Sequence, residues 1–320
     1  MYEITRTMFL SVLTPLHAGG STRLSIIDQP IQREGHTGFP KIEASSLKGS
    51  IRHAFENNAD GAISKDSITI TQIFGADDQD KIVASAASFS DARLLFFPVR
   101  SAKGVFAFVT CPMVLKRFAD DMNIVGMDDF SRDFNFQPDK LPLVTPNSKL
   151  LIKKSADSPD AVILEEFLYN VSVEKGEASI LTSFINKLLR YLPENELLKS
   201  MLPQNTIVVS DEDFADFVRL STEVITRIKI ENDTGIVKDG ALFNEEYLPS
   251  ESILYSLIFI TSSRQPKNSN VETLEPKKEA AQIAKEIEDG MPTIFQVGAN
   301  MTLGKGFVAC NIVSGGERHV

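Results

Sequence analysis

Positive charge is in short supply. Lys and Arg number 33 against 43 Asp and Glu, which leaves the 320-residue chain at −10. That balance excludes a protein coated in cations and argues against bulk adhesion to nucleic acid, though a local basic groove on an acidic body stays open. Cysteine is scarce too. Cys111 and Cys310 lie far apart in apolar sequence, which excludes a disulfide frame and zinc-ligand spacing and fits reduced core thiols in a cytoplasmic protein. No apolar run approaches the ~18 residues of a membrane span. The run Met8 to Leu13 after Arg6 faintly resembles a signal peptide, but Glu3 precedes it and Pro15 closes it, so a first β-strand is the better reading. Also missing are a short-period repeat, an H-E-x-x-H pair, a Ser-His-Asp order and the repeated Asp spacing of a dedicated metal cage.

What remains is ordinary globular composition, 42% hydrophobic and 24% charged, in a chain long enough for one large decorated domain or two. Residues 1–14 alternate as a strand, and residues 15–25 form a loop with His17, Gly19 and Gly20. A helix follows Ser45-Ser46, with Leu47, Ile51 and Phe55 on one stripe. Residues 57–82 are a polar insertion around the apolar piece Ile68–Phe74. Strands are predicted over 86–115, broken by a turn at Ser101 to Gly104. Residues 119–160 are loop-rich. Ser210 to Asp213 is a capping box opening a helix with Phe214, Phe217 and Val218. Residues 226–249 read as a hairpin tipped by Asn232, Asp233, Thr234 and Gly235. A helix over 276–289 turns Ala280, Ala281, Ile283, Ala284 and Ile287 inward, with Gly290 past its end. The chain closes over 295–313 as strand, glycine loop, strand. Short strands mixed with helices and insertions favour an α+β fold over a doubly wound sheet.

Three places invite chemistry. Lys48 and Arg52 stand one turn apart at the start of the Ser46 helix. Cations there oppose the helix dipole unless an anion sits between them and the free N–H groups, so the spacing leaves a phosphate site and a solvated lysine both open. The loop "GANMTLGKGF" has three glycines and Lys305, but five residues separate Gly298 from Gly304 and Gly306 follows the lysine. A Walker A loop needs four residues there and a Ser or Thr after the lysine. The loop is either a hairpin tip or a close approach for a nucleic-acid backbone. Asp28, before Gln29-Pro30, reads as a turn residue or an exposed acid. His17 and His36 are near enough in sequence to meet it.

The runs "LTPLHAGG", "IDQPIQREGHTGFPKIEASSLKGSIRHAF", "FGADDQD", "FSDARLLFFPVRSAKGVFAFVTCP", "GALFNEEYLP" and "FQVGANMTLGKGFV" together resemble the RAMP superfamily, in order and over nearly the whole chain. Within it, the sequence looks like the repeated backbone subunit of the type III-B CRISPR effector, the Cmr complex. The resemblance implies a single decorated domain over 1–320. It would have an RNA-recognition-motif-like (ferredoxin-like) palm, a helical fingers insertion that includes 57–82, and a β-hairpin thumb at about 226–249. It implies copies stacked head to tail on a CRISPR guide RNA with other Cmr subunits, cutting target single-stranded RNA at regular intervals. It implies a divalent cation, Mg or Mn, in that cutting. It makes Asp28 catalytic, as general base or as ligand to a hydrated cation, with His17, Glu246 and Tyr247 in support. RNA would lie on Ser46, Lys48, Arg52, Gly298, Asn300, Gly304, Lys305 and Gly306. One departure stands out: the family loop often begins Gly-Gly, and here Ala299 follows Gly298. Two other classes stay open, a non-cleaving RNA-binding filament subunit and a guide-processing endoribonuclease using His17 or His36.

Overall fold

Three strands, Ile4–Val12, Ala92–Arg100 and Ile253–Ile260, are buried along most of their length. Runs apolar on both faces of this kind need cover on both sides of a sheet. The computed structural model supplies it. It describes residues 2–20, 27–57, 68–78, 81–128, 130, 140–152, 159–174, 179–228, 230–231, 233, 236–237, 242–264 and 277–315. Among these residues the main sheet has eleven strands, and Ile4–Val12 lies between Ile253–Ile260 and the C-terminal strand Phe307–Ser314. The pairing is antiparallel except where Thr206–Val208 runs parallel to Phe106–Thr110 and Ser172–Val173 parallel to Leu143–Val144. A mixed sheet covered by helices is therefore the architecture.

The strand period sorts the cover. Phe9 and Tyr255 face the helix Pro112–Ile124, where both meet the Phe118 ring. Ile258, three residues on from Tyr255, faces the other side. Phe89 pairs with Ile258 and stacks on Phe74, which meets Phe55. That face carries the helices Ala44–Asn57 and Ile68–Phe74. The helix Ala280–Gly290 packs there too, because a side chain on Gly290 would run into the Phe55 ring.

The Ser46 helix has the buried stripe expected of it, Leu47, Ile51 and Phe55. The capping box is present, with Ser210 Oγ accepting from the Asp213 N–H at 3.0 Å. Three expectations are corrected. The strand over 86–115 stops at Thr110, because Pro112 sits in the first helical turn, where its fixed φ and missing N–H suit a helix start. Val114, Leu115, Phe118 and Met122 then repeat at helical spacing, and the helix runs into the segment expected to be loop-rich. Gly290 belongs to the last helix, and Ala281 on that helix is exposed. Asn232, Thr234 and Gly235 of the hairpin tip lie outside the described residues, as do 58–67 and much of 131–158. Cys111 and Cys310 are buried free thiols, and burial pushes the Cys310 pKa up to about 12. Among the described residues no helix is long and apolar enough to cross a membrane.

Candidate functional site

The segment after Asp28 has no helix or long strand of its own, yet it leaves few backbone groups idle. It is a strap laid between two neighbours. On one side the Gln32 N–H bonds the Ala18 carbonyl and the Gly20 N–H bonds the Pro30 carbonyl. On the other, the Gln29 N–H bonds the Asn244 carbonyl and the Glu246 N–H bonds the Gln29 carbonyl. Asn244 and Glu246 belong to the strand Phe243–Tyr247, which pairs with Glu223–Arg227 as the root of a hairpin. Asp28 is exposed at the strap's start. Its Oδ2 accepts from the Asn244 N–H at 2.7 Å, and its Oδ1 has no partner among the described residues. The carboxylate is thus aimed while half its acceptor capacity stays open.

Strand alternation sends the two glutamates of this hairpin opposite ways. Glu246 Oε1 takes the Arg33 guanidinium at 2.6 Å and the Thr222 hydroxyl at 2.8 Å, and its Oε2 takes the Ile31 N–H at 3.0 Å. Both oxygens are engaged in holding the strap to the hairpin. Glu245 points with Tyr247 to the other face, into a buried polar cluster. Its Oε2 accepts from the Tyr247 hydroxyl at 2.5 Å and from Arg227 Nε at 3.1 Å, and its Oε1 accepts from Asn300 Nδ2 at 2.6 Å. His17 Nε2 lies 3.9 Å from that Oε1, while its Nδ1 is 2.7 Å from the Glu246 carbonyl. Burial opposes the Glu245 charge. The bonds from Tyr247, Asn300 and Arg227, with His17 beside them, outweigh it and hold the pKa below the usual carboxylate range. Burial, reinforced by Glu245, raises the Tyr247 pKa. Lys305 Nζ sits 5.1 Å from the centre of the Tyr247 ring. Glu245 and Arg227 are members that sequence reasoning missed. The two-residue period from Tyr247 was the signal that separates Glu245 from Glu246.

The glycine loop meets this cluster from the far side. Gly298, Gly304 and Gly306 all have positive φ, as does Asn300 at 64°. A side chain at Gly298 would collide with the His17 carbonyl, to which the Ala299 N–H also bonds. Ala299 itself has no positive φ, so the departure from a Gly-Gly start costs the loop nothing. Asn300 fixes the loop to Glu245 and Tyr247.

The start of the Ser46 helix is partly occupied by the protein's own anion. Asp91 Oδ1 accepts the Ala44 N–H at 2.9 Å, and its Oδ2 pairs with Lys41. Ser46 Oγ accepts from Gln32 on the strap. Arg52 bonds Glu56 at 2.9 Å and the Gly75 carbonyl at 3.2 Å. Lys48 has no ion pair among the described residues. Burial, then Arg52, lower its pKa. His36 is exposed on the strap beside Glu34, away from the buried His17. No three His, Cys, Asp or Glu side chains gather as a metal cage among the described residues.

The sequence matches the RAMP superfamily over residues 9–309. The chain belongs to that family. It is 36% identical over 301 residues to the CRISPR system Cmr endoribonuclease Cmr4 of Pyrococcus furiosus, covering 93% of this chain and 92% of that one. It is 27% identical to the CMR subunit Cmr4 of Saccharolobus solfataricus over 82% of this chain and 86% of that one. An oligomeric crystal structure of the Pyrococcus Cmr4 superposes with a TM-score of 0.69 at 31% identity, with 98% of each chain covered. A type III-B Cmr-beta structure bound to cognate target RNA shares the fold, with a TM-score of 0.71 at 23% identity and 97% and 98% coverage. In this RAMP protein the hairpin root joins two clusters, the strap on Glu246 and the glycine loop on Glu245, and Asp28 is exposed where the strap meets the hairpin at Asn244.

Proposed function

We propose that this RAMP protein is the repeated backbone subunit of a type III-B Cmr effector that binds CRISPR guide RNA and cleaves complementary single-stranded target RNA, with Asp28 catalytic. The observation that carries this is the Asp28 carboxylate: exposed, pinned through one oxygen by the Asn244 N–H, free through the other, at the foot of a hairpin. The 36% identity to a chain named as an endoribonuclease supports the reaction class. In this reading the sheet is the palm, residues 57–82 belong to the fingers, and the hairpin rooted at Glu223–Arg227 is the thumb. Copies stack head to tail along the guide, with other Cmr subunits, in the cytoplasm.

The chemistry is internal transfer. The free oxygen of Asp28 takes the proton of a ribose 2′-OH. The 2′ oxygen attacks its own 3′-phosphate, the bond to the 5′ oxygen breaks, and that oxygen takes a proton from water while Asp28 returns its own to solvent. The products are a 2′,3′-cyclic phosphate and a 5′-OH end. Where a divalent cation, Mg or Mn, is bound, the free oxygen of Asp28 would hold it with water and RNA phosphate oxygens in place of taking the proton itself, since one carboxylate plus phosphates is a common Mg²⁺ arrangement. Such an ion supplies positive charge for the phosphoryl oxygens in the transition state. Tyr247 and His17, held by Glu245, fix the hairpin root, and Glu246 fixes the strap. Lys48, Ser46 and the loop from Gly298 to Gly306, with Lys305, face the RNA backbone.

The test is Asp28→Asn in the assembled effector. Target cleavage should fall by about 10²–10⁴-fold, with guide and target affinity within about twofold. Loss of RNA binding together with cleavage would give Asp28 a structural role.

A further inference from the structure

Next to the hairpin root, where Ser221 and Thr222 precede the strand Glu223–Arg227, lies a second concavity. A two-stranded ribbon, Ala161–Leu164 with Phe167–Asn170, and the helix Asp211–Leu220 enclose a cleft of about 340 Å³. The Phe217 ring lies 6.3 Å from the rings of both Phe167 and Tyr169, which makes an aromatic lining. Glu165, Glu166, Asp213 and Asp216 supply acid around it. Two of these are engaged. Glu165 pairs with the exposed Arg100 at 3.0 Å, and Asp213 accepts from the hydroxyls of Ser210 and Tyr169. Glu166 and Asp216 are exposed, with no ion pair among the described residues. Apolar surface borders them: Phe167 is 48% and Leu220 76% exposed.

Phosphates are repelled from such a wall, so the cleft does not extend the RNA groove. Aromatic faces beside unpaired carboxylates attract a guanidinium, and exposed Phe and Leu accept the aliphatic stem and its neighbours. Arg is also enriched at protein interfaces, where a planar cation is buried among rings. We propose that this cleft docks a partner polypeptide through an arginine flanked by aliphatic residues. The assignment does not rest on the RNA-cleaving reading. It does bear on the first site: Thr222, which lines the cleft, donates to Glu246, the residue that holds Ile31 and Arg33 of the strap. A docked partner would sit against the root that positions Asp28.

The test uses the full chain and a defined probe, acetyl-Leu-Arg-Leu-Arg-amide, titrated by calorimetry and by NMR of ring-labelled Phe and Tyr. The peptide should bind at low salt and shift the Phe167, Tyr169 and Phe217 ring signals. Glu166→Gln with Asp216→Asn should weaken it about tenfold, two exposed charge pairs being removed. The same pair of changes should leave the affinity for a ten-nucleotide oligouridylate unchanged. Phe167→Ala, which removes ring area and no charge, should also weaken the peptide. Absence of peptide binding, equal binding by wild type and the double variant, or displacement of the peptide by the oligouridylate would each overturn the proposal.

Discussion

Lys48 and Arg52 stand one helical turn apart, yet their side chains are not equivalent. Arg52 is committed to Glu56 and to the Gly75 carbonyl, while Lys48 is half-buried without an ion pair among the described residues. Lys48→Ala should therefore weaken RNA binding for all sequences and flatten its salt dependence by about one counterion. Arg52→Ala should change the salt slope less and lower the melting temperature more. Filter binding across a salt series, with thermal melts of both variants, checks this. An equal change in slope for the two would make the Arg52 contacts incidental.

Glu245 gives a second prediction at this scale. Its folded pKa is depressed below the ordinary value of 4.5. A depressed carboxylate contributes stability that is present above its unfolded pKa and is lost as pH falls through the folded one. Glu245→Gln should cost about 1–2 kcal/mol at neutral pH, since it removes the charged acceptor of Arg227, Tyr247 and Asn300. The melting-temperature gap to wild type should persist down to about pH 4.5 and close only below it. A gap that closed well above pH 4.5 would mean that Glu245 does not carry the difference.

Among the elements, the glycine loop is held by close approach. Gly298 combines a φ of +82° with a backbone contact to His17. Gly298→Ala should cost about 1–3 kcal/mol and loosen the Asn300 bonds, whereas Ala299→Gly should be nearly silent. Thermal melts of both variants decide it. A silent Gly298→Ala would mean that the loop reshapes freely. The Ser46 helix was legible because its burial repeats at 3.6 residues, and the capping box because it is local. The helix from Pro112 was hidden in "VTCPMVL", a short apolar run in which strand and helix patterns coincide. Glu246 drew attention ahead of Glu245 because the two-residue period that puts Glu245 on the face of Tyr247 does not say which face carries the cluster; pairing across the hairpin does. The Asp91 cap on Ala44 and the two-sided strap were invisible for the same reason: their partners lie tens to hundreds of residues away. Asp28 by itself read as a turn residue or an exposed acid, and the family resemblance singled it out.

At the scale of the whole molecule, Asp28 is exposed at the foot of a hairpin, and within one chain nothing described lies across from its free oxygen. In-line attack needs the reacting atoms within about 3–3.5 Å and aligned, while a continuous duplex holds each 2′-OH away from that geometry. The hairpin arms carry Ile228, Ile230, Ile236 and Val237 exposed by 54%, 53%, 67% and 44%. Apolar side chains held out in this way suit insertion between bases, where unstacking frees one sugar-phosphate to swing. In the proposed filament, a hairpin that reaches outward from its own root would break the duplex over the Asp28 of an adjacent copy. The isolated subunit should then be nearly inactive on a guide–target duplex, with cutting appearing on assembly. Deleting residues 232–238 should leave the melting temperature within about 2 °C, since its described residues, Asp233, Ile236 and Val237, are exposed and bury little, and should blur or abolish regularly spaced cuts. Product ladders on a sequencing gel, from monomer, assembled wild type and the deletion, give the answer. Robust, regularly spaced cutting by the monomer or by the tip deletion would remove the neighbouring hairpin from the site while leaving Asp28 in it.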